Sequence, residues 1–142
     1  MASLQTILQE NKKENISEEL ARARECLASA DLLFSHGQLA DAVSRLYYYV
    51  YHAVRALLLS KGLEPKTHEG ALRRLNLYFT KPGILEAETS HTFTRLMKYR
   101  EEADYNPSYI FTKDDYARFK VEADSLFELI IEHLRIEGMV EG

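Results

Sequence analysis

The sequence feature that most constrains the fold is a tyrosine-rich segment at residues 45–59, which reads RLYYYVYHAVRALLL. Four of residues 47–51 are tyrosines, so the segment is too polar for a plain core helix and too apolar for a solvated one. At 3.6 residues per turn it has one apolar face and one polar, aromatic face. We therefore expect a helix that is buried over most of its circumference. The apolar face holds Leu46, Val50, Ala53, Leu57 and Leu58, and the polar row holds Arg45, Tyr48, Tyr49, His52 and Arg55, with Tyr47 and Tyr51 at the border.

The composition is that of a single domain with a sizeable core. The 142 residues are 46% hydrophobic, and only three prolines and six glycines interrupt them, which leaves room for long helices. The single cysteine, Cys26, excludes a disulfide within the chain and is compatible with a reducing compartment. No apolar run approaches about 18 residues and no charged-then-apolar leader opens the chain. We therefore expect a cytoplasmic protein without a membrane span or signal peptide.

Apolar periodicity and helix-stop residues predict the fold class. It is an all-α, up-and-down antiparallel bundle of four long helices plus one short helix. Gly37, Gly62 and the Asn106-Pro107 pair are expected to end three of the helices. The long helices are predicted over about residues 15–35, 39–60, 84–105 and 112–134, and the short one begins after Thr67. The predicted organisation is a flexible lead-in (residues 1–14), the bundle (residues 15–136) and a flexible tail (residues 137–142).

Charge is unevenly distributed along the chain. The net charge is −4, but residues 61–100 carry eight basic and four acidic side chains. A local excess of this kind attracts phosphate groups when the basic side chains share one surface. The alternative is that these residues form the ordinary charged faces of solvated helices.

A second informative stretch, residues 98–105 with the sequence KYREEADY, ends the third of the predicted long helices. Arg100 and Asp104 are four residues apart, so they share a face of the helix and can form an ion pair. Tyr105 is adjacent. These residue types fit a polar cleft, and they equally fit a structural salt bridge that fixes the helix end before Pro107.

One histidine of the tyrosine-rich segment is a candidate for chemistry. His52 follows Arg45 by two helical turns, which places both side chains on one face about 10 Å apart along the axis. The two residues are either an active pair or, with Tyr48, part of a hydrogen-bonded polar layer against Arg100 and Asp104.

A second histidine, His68, follows the predicted helix cap Thr67. Backbone N–H groups and the positive end of the helix dipole favour anions in such a first turn. His68 and Lys66 are therefore candidate phosphate contacts, although an ordinary capped helix start has the same residues. The sequence has neither a Gly-rich phosphate loop nor a His and carboxylate spacing typical of metal sites. We expect no cofactor and no bound metal.

Three motifs, taken in order, resemble the HEPN superfamily. They are the tyrosine-rich helix with Arg45, the KTHEG turn at residues 66–70 and the REEADY sequence at residues 100–105. The likeness covers about residues 17–134 and is strongest to small stand-alone HEPN proteins whose genes often neighbour a minimal nucleotidyltransferase. It implies a helical bundle that forms a homodimer and often acts as a metal-independent endoribonuclease. In several systems such a domain is the toxin of a toxin–antitoxin pair, with the nucleotidyltransferase as antitoxin.

The resemblance also implies roles for single residues. In the family, an Arg-x4–6-His motif at the end of the third long helix faces its symmetry mate across a cleft. The arginine stabilises the phosphate, and the histidine is general acid and base for the ribose 2′-OH. Here Arg100 matches the arginine, and Asp104 stands in for the histidine in a divergent Arg-x3-Asp spacing, with Tyr105 next to it. An aspartate beside an arginine is ionised at neutral pH, so it can accept a proton but cannot donate one.

Three hypotheses for the function follow. The first is a dimeric module that binds RNA, a nucleotide or a nucleotidyltransferase partner and does not associate with membranes. The second is an RNA-cleaving enzyme in which Arg100 holds phosphate and His52 or His68 replaces the missing histidine. The third is a structural scaffold with a buried hydrogen-bond network. The tyrosine run suits stacking of single-stranded bases, but it is more typical of packing at an interface. In the first hypothesis the polar cleft is formed by Arg45, Tyr48, His52, Arg100, Asp104 and Tyr105.

Overall fold

The protein is an all-α bundle of four long helices and one short helix, which confirms the predicted fold class. A computed structural model describes residues 2–141, and these residues form helices and turns without any strand. No helix among them is both long enough and apolar enough to cross a membrane. The helices are α1 (Leu4–Ser35), α2 (Leu39–Leu59), α3 (His68–Leu75), α4 (Ala87–Tyr105) and α5 (Lys113–Ile136), and a short π-helix (Asn76–Thr80) continues α3.

The long helices alternate in direction, with α1 and α4 running one way and α2 and α5 the other. Gly37 has a φ of 76° and makes the left-handed turn between α1 and α2. Side-chain pairs show that α5 runs antiparallel to both α1 and α4, because residues near the start of α5 contact residues near the end of each neighbour. These pairs are Asp31–Tyr116 and Arg24–Phe127 between α1 and α5, and Arg95–Glu122 and Tyr99–Phe119 between α4 and α5.

Helix α2 is the centre of the bundle. It contacts each of the other four helices, and 13 of its 21 residues are buried, as the tyrosine-rich segment predicts. Two tyrosines lie deeper than the sequence pattern indicates. Tyr47 is fully buried, and Tyr49 is buried with its hydroxyl donating to Asp124 of α5 at 2.9 Å. A buried phenol needs such a partner, because an unpaired hydroxyl in the core costs free energy.

The N-terminal boundary of α1 differs from the prediction. The sequence predicts a flexible lead-in up to residue 14, whereas α1 begins at Leu4 and runs through that segment. Ser3 caps this start, because its hydroxyl accepts a hydrogen bond from the backbone N–H of Thr6 at 3.1 Å. Residues 4–14 contain neither glycine nor proline. A helix nucleated by the packed half of α1 therefore extends through them at little cost.

Two other predicted boundaries change less. Helix α4 begins at Ala87, three residues after the predicted Ile84, and follows the left-handed turn at Gly83. In the predicted tail, the left-handed Gly138 follows α5, and Met139 and Val140 then pack partly against the core. Residues 1 and 142, at the ends of the predicted lead-in and tail, lie outside the described residues.

A charged cluster ties α1 to α2. The Glu19 carboxylate pairs with Nδ1 of His52 at 2.8 Å and accepts a hydrogen bond from Nε of Arg55 at 3.0 Å. Arg55 also donates to the carbonyl of Pro65 at 3.2 Å, which fixes the loop after α2. Burial by itself would raise the pKa of the Glu19 carboxyl. The hydrogen bonds from His52 and Arg55 outweigh this effect and hold the pKa below its usual value.

The Glu19→Gln variant is expected to be less stable than the native chain at neutral pH by about 1–2 kcal/mol, because it loses charge-assisted hydrogen bonds. The pKa of Glu19 is lowered in the folded state. The carboxylate therefore stabilises the fold above its unfolded pKa, and this stability is lost as the pH falls through the folded value. Denaturant unfolding at neutral pH and at about pH 3 measures both effects.

The control is Glu18→Gln, which removes an exposed carboxylate one residue earlier on the same helix. The stability difference between native and Glu19→Gln proteins should shrink at the acidic pH, while the Glu18→Gln protein should match the native one throughout. Equal stability of the native and Glu19→Gln proteins at neutral pH would show that the cluster does not stabilise the fold.

Candidate functional site

An open cavity of about 550 Å³ lies where α2, the start of α3 and the C-terminal end of α4 meet. Three helices thus supply side chains that are far apart in the sequence, and four of these side chains were predicted as site residues. The predicted residues that line the cavity are Tyr48, His68, Arg100 and Tyr105, and the other lining residues are Glu101, Glu102 and Asn106.

Arg100 is the cation of this cavity, and it is nearly buried. The residue is 7% exposed, and its Cζ atom lies over the rings of Tyr47 and Tyr105, 5.4 and 5.9 Å from their centroids. Among residues 2–141, its side chain makes no hydrogen bond, and Nε is buried without a partner. Because a guanidinium carries five N–H donors, Arg100 retains the capacity to hold an anion.

Asp104 compensates this charge only in part. Its Oδ2 lies 3.7 Å from Nη1 of Arg100, which is an ion pair but too long for a hydrogen bond. The predicted pairing across one helical turn is therefore present as a loose contact. The Asp104 side chain is 29% exposed and that of Arg100 is 9% exposed, so the carboxylate lies nearer the solvent. A buried cation whose one charged partner is distant lowers the stability of the fold. Charged side chains in such unfavourable surroundings are common in binding sites.

His68 enters the cavity from the first residue of α3. Thr67 caps that helix as predicted, because its hydroxyl accepts from the backbone N–H of Gly70 at 2.8 Å. Nδ1 of His68 lies 2.6 Å from the hydroxyl of Tyr47, and the ring packs 4.5 Å from that of Tyr51. Burial lowers the pKa of His68, and the positive charge of Arg100 lowers it further. His68 is therefore neutral at physiological pH.

Tyr47 is the site residue that the sequence analysis underestimates. The pattern places it at the border of the polar row, yet it is fully buried between the core and the cavity. Its ring stacks on Phe93 of α4 at 5.8 Å, lies under Arg100 and reaches His68. The available signal is its helical spacing from Val43 and Val50, four residues before it and three after it, which places Tyr47 beside apolar side chains.

Four predicted residues do not line the cavity: Asp104, whose contact with Arg100 is described above, and His52, Arg45 and Lys66. His52 was expected to approach Arg100 or Asp104, but it pairs with Glu19 and lines a separate cavity between α1 and α2. Arg45 lies beside the site, with its guanidinium 4.7 Å from the ring centroid of Tyr48. Lys66 is exposed and does not line the cavity. In the part of the chain that the structure describes, no three His, Cys, Asp or Glu residues are grouped so that they could hold a metal ion.

The position of His52 has a geometric cause. The polar row of α2 is long enough to meet several different helices. Its first turns, with Tyr48, face α3 and α4, while the later turns, with His52 and Arg55, face Glu19 of α1. A shared helical face in the sequence therefore does not mean a shared site.

Known proteins are similar to this chain over most of its length. A "UPF0332 protein" from Thermotoga maritima is 36% identical over 121 residues, which cover 84% of this chain and 92% of the relative. A protein from Methanocaldococcus jannaschii named "Putative toxin MJ0605" is 35% identical over 102 residues, which cover 72% of this chain and 76% of the relative. A second protein from that organism, "Putative toxin MJ0142", is 29% identical over 109 residues, with 77% and 74% covered.

A family model described as "HEPN domain" matches residues 16–134. This match takes in most of α1 and α5 and the whole of the three helices between them. It also includes every residue that lines the cavity around Arg100. The family that the sequence motifs suggested is therefore confirmed, and the chain belongs to the HEPN family.

Proposed function

We propose that this chain is a toxin-like HEPN protein that acts as a dimeric helical module and binds RNA or a nucleotide in the cavity around Arg100. The observation that carries the proposal is the nearly buried guanidinium of Arg100, which makes no hydrogen bond within residues 2–141 and shares its cavity with His68. The names of two relatives include the word toxin, which supports the toxin-like assignment.

The chemistry of the cavity fits a nucleotide. A planar guanidinium can donate two parallel hydrogen bonds to a phosphate group. The rings of Tyr48 and Tyr105 offer faces on which a base can stack, and Tyr105 is 75% exposed. Arg45 adds a second positive charge beside Tyr48. Phosphate and base therefore each have a counterpart within the site.

An apolar surface next to the cavity supports dimer formation. Tyr105, Tyr109 and Ile110 lie within six residues of the chain, and they are 75%, 39% and 83% exposed. Exposed apolar side chains that cluster in this way mark interaction surfaces. A second copy of the chain is the proposed occupant of this surface. As the family resemblance implies, the proposed partner of another kind is a minimal nucleotidyltransferase.

The second candidate function is a metal-independent endoribonuclease, and His68 is the observation that favours it. Asp104 occupies the histidine position of the family motif, and an ionised carboxylate cannot donate a proton. His68 reaches the same cavity from α3 and is neutral at physiological pH, so its ring can exchange a proton there. Arg100 would then stabilise charge that develops on the phosphate.

The Arg100→Lys variant tests binding. We expect its affinity for a single-stranded RNA oligonucleotide to fall about tenfold, because lysine keeps the charge but lacks the planar, forked donors. Fluorescence anisotropy at constant ionic strength measures the affinity. The matched control is Arg95→Lys on the same helix, since Arg95 donates to Glu88 and Glu122 outside the cavity. Equal losses in the two variants would argue against the cavity as the binding site.

An RNA cleavage assay in the presence of a metal chelator distinguishes the two candidate functions. We expect the native chain to bind the oligonucleotide without cutting it, because Asp104 cannot supply a proton to the leaving oxygen. The variants to compare are His68→Asn, His52→Asn and Asp104→His. Cleavage by the native chain that disappears in His68→Asn and persists in His52→Asn would favour the endoribonuclease instead.

The Ile110→Asp variant tests the dimer. A charge at the proposed interface is costly to desolvate, so we expect the native chain to sediment as a dimer and the variant as a monomer. Ile136→Asp is the matched control, because Ile136 is 72% exposed at the end of α5. Analytical ultracentrifugation gives the masses, and a monomeric native chain would contradict the dimer.

A further inference from the structure

The contact between Tyr47 and His68 joins a buried phenol to the candidate site. The Tyr47 hydroxyl lies 2.6 Å from Nδ1 of His68, and the Tyr47 side chain is fully buried. Burial raises the pKa of the phenol far above its usual value, so the hydroxyl keeps its proton. A phenol is a stronger donor than acceptor, and a neutral imidazole nitrogen is a good acceptor. The favoured arrangement therefore has Tyr47 donating to Nδ1.

This arrangement determines where the imidazole carries its own proton. A neutral ring has one N–H, and Nδ1 cannot both accept from Tyr47 and hold that proton. The proton is then on Nε2. His68 is half-buried and lines the cavity, and among residues 2–141 the one hydrogen bond of its side chain is that of Nδ1. The Nε2–H group is thus available to a ligand.

Neighbouring rings hold the imidazole in this orientation. The rings of Tyr51 and Tyr48 lie 4.5 and 5.9 Å from it, and both come from α2, as does Tyr47. The guanidinium of Arg55 lies 5.9 Å from the ring centroid of Tyr51, and Arg55 is itself fixed by Glu19. The ring of His68 is therefore enclosed on several sides, and its one free nitrogen belongs to the cavity.

We propose that Tyr47 is a positioning residue that holds His68 as an Nε2–H donor, so that His68 and Arg100 together bind one phosphodiester group. This inference rests on the proposed function of the cavity and specifies its ligand. The lining of the cavity has one full positive charge, Arg100, and one neutral donor, His68, and it also includes Glu101 and Glu102. The second positive charge, on Arg45, lies beside Tyr48 and is not part of the lining. Such a balance suits the single negative charge of an internal phosphodiester better than the double charge of a terminal phosphate.

The proposal also separates the two roles considered for His68. A base needs a free lone pair at the nitrogen that faces the substrate, and in the Nε2–H form that nitrogen carries the proton instead. The Tyr47 hydroxyl therefore favours binding of the phosphodiester over removal of a proton from a 2′-OH.

The experiment uses the full chain, labelled with nitrogen-15, and reads the tautomer of His68 by long-range proton–nitrogen NMR without RNA. His68→Asn assigns the signal among the five histidines. We expect the Nε2–H form in the native chain and a mixture of both tautomers in Tyr47→Phe. Anisotropy with a single-stranded RNA oligonucleotide should show about a three- to tenfold loss of affinity in Tyr47→Phe, the loss of one oriented hydrogen bond.

The matched control is Tyr49→Phe. Tyr49 lies on the same helix, is buried, and donates its phenol to Asp124 instead of His68. The Tyr49→Phe variant should leave both the tautomer of His68 and the affinity for the RNA oligonucleotide unchanged. An Nδ1–H form of His68 in the native chain would overturn the proposal, as would a Tyr47→Phe protein with native tautomer and affinity. The Nε2–H form in a native chain that binds no RNA would support the positioning by Tyr47 and overturn the proposed function.

Discussion

A guanidinium that is 7% exposed has lost most of its hydration, and Arg100 recovers little of that cost from a carboxylate, because Asp104 is 3.7 Å away. The faces of Tyr47 and Tyr105 supply the remaining stabilisation as cation–π contacts. Such contacts hold the charge in place without using its N–H donors. The cavity therefore depends on an aromatic environment that keeps a cation in position and leaves its hydrogen bonds for a ligand.

Helix α2 makes this arrangement possible because it belongs to the core and to the cavity at once. Tyr47 stacks on Phe93 in the core, the same ring lies against Arg100, and its hydroxyl contacts Nδ1 of His68. A core residue is positioned by close packing on all sides, so the cavity inherits the rigidity of the bundle. Tyr48, one residue later, is only partly buried and lines the cavity directly. Adjacent tyrosines thus have different roles because a helix turns about 100° per residue.

The sequence predicts the helices well, because they follow from local patterns, and it predicts four of the seven residues that line the cavity. Apolar periodicity and the turn residues define four long helices and a short one, and family motifs single out Arg100 and His68. The pairing of His52 with Glu19 could not be predicted, because it depends on how α1 packs against α2. The sequence pattern of each helix does not show which of its residues lie opposite each other. The burial of Tyr47 could not be predicted either, because it depends on packing against Phe93, which lies 46 residues later on another helix. The start of α1 at Leu4 depends on a cap at Ser3 that lies before any apolar periodicity.

The family resemblance implies that Asp104 replaces the motif histidine, and a carboxylate at that place changes the chemistry of the site more than its location. An ionised carboxylate near Arg100 lowers the net positive charge of the cavity and removes a proton donor from the end of α4. His68 restores a donor from a different helix, but its proton is oriented by a phenol rather than by a second charged group. A neutral donor beside one cation attracts a phosphodiester without the charge that an imidazolium would add. This balance favours reversible binding over proton transfer within the cavity.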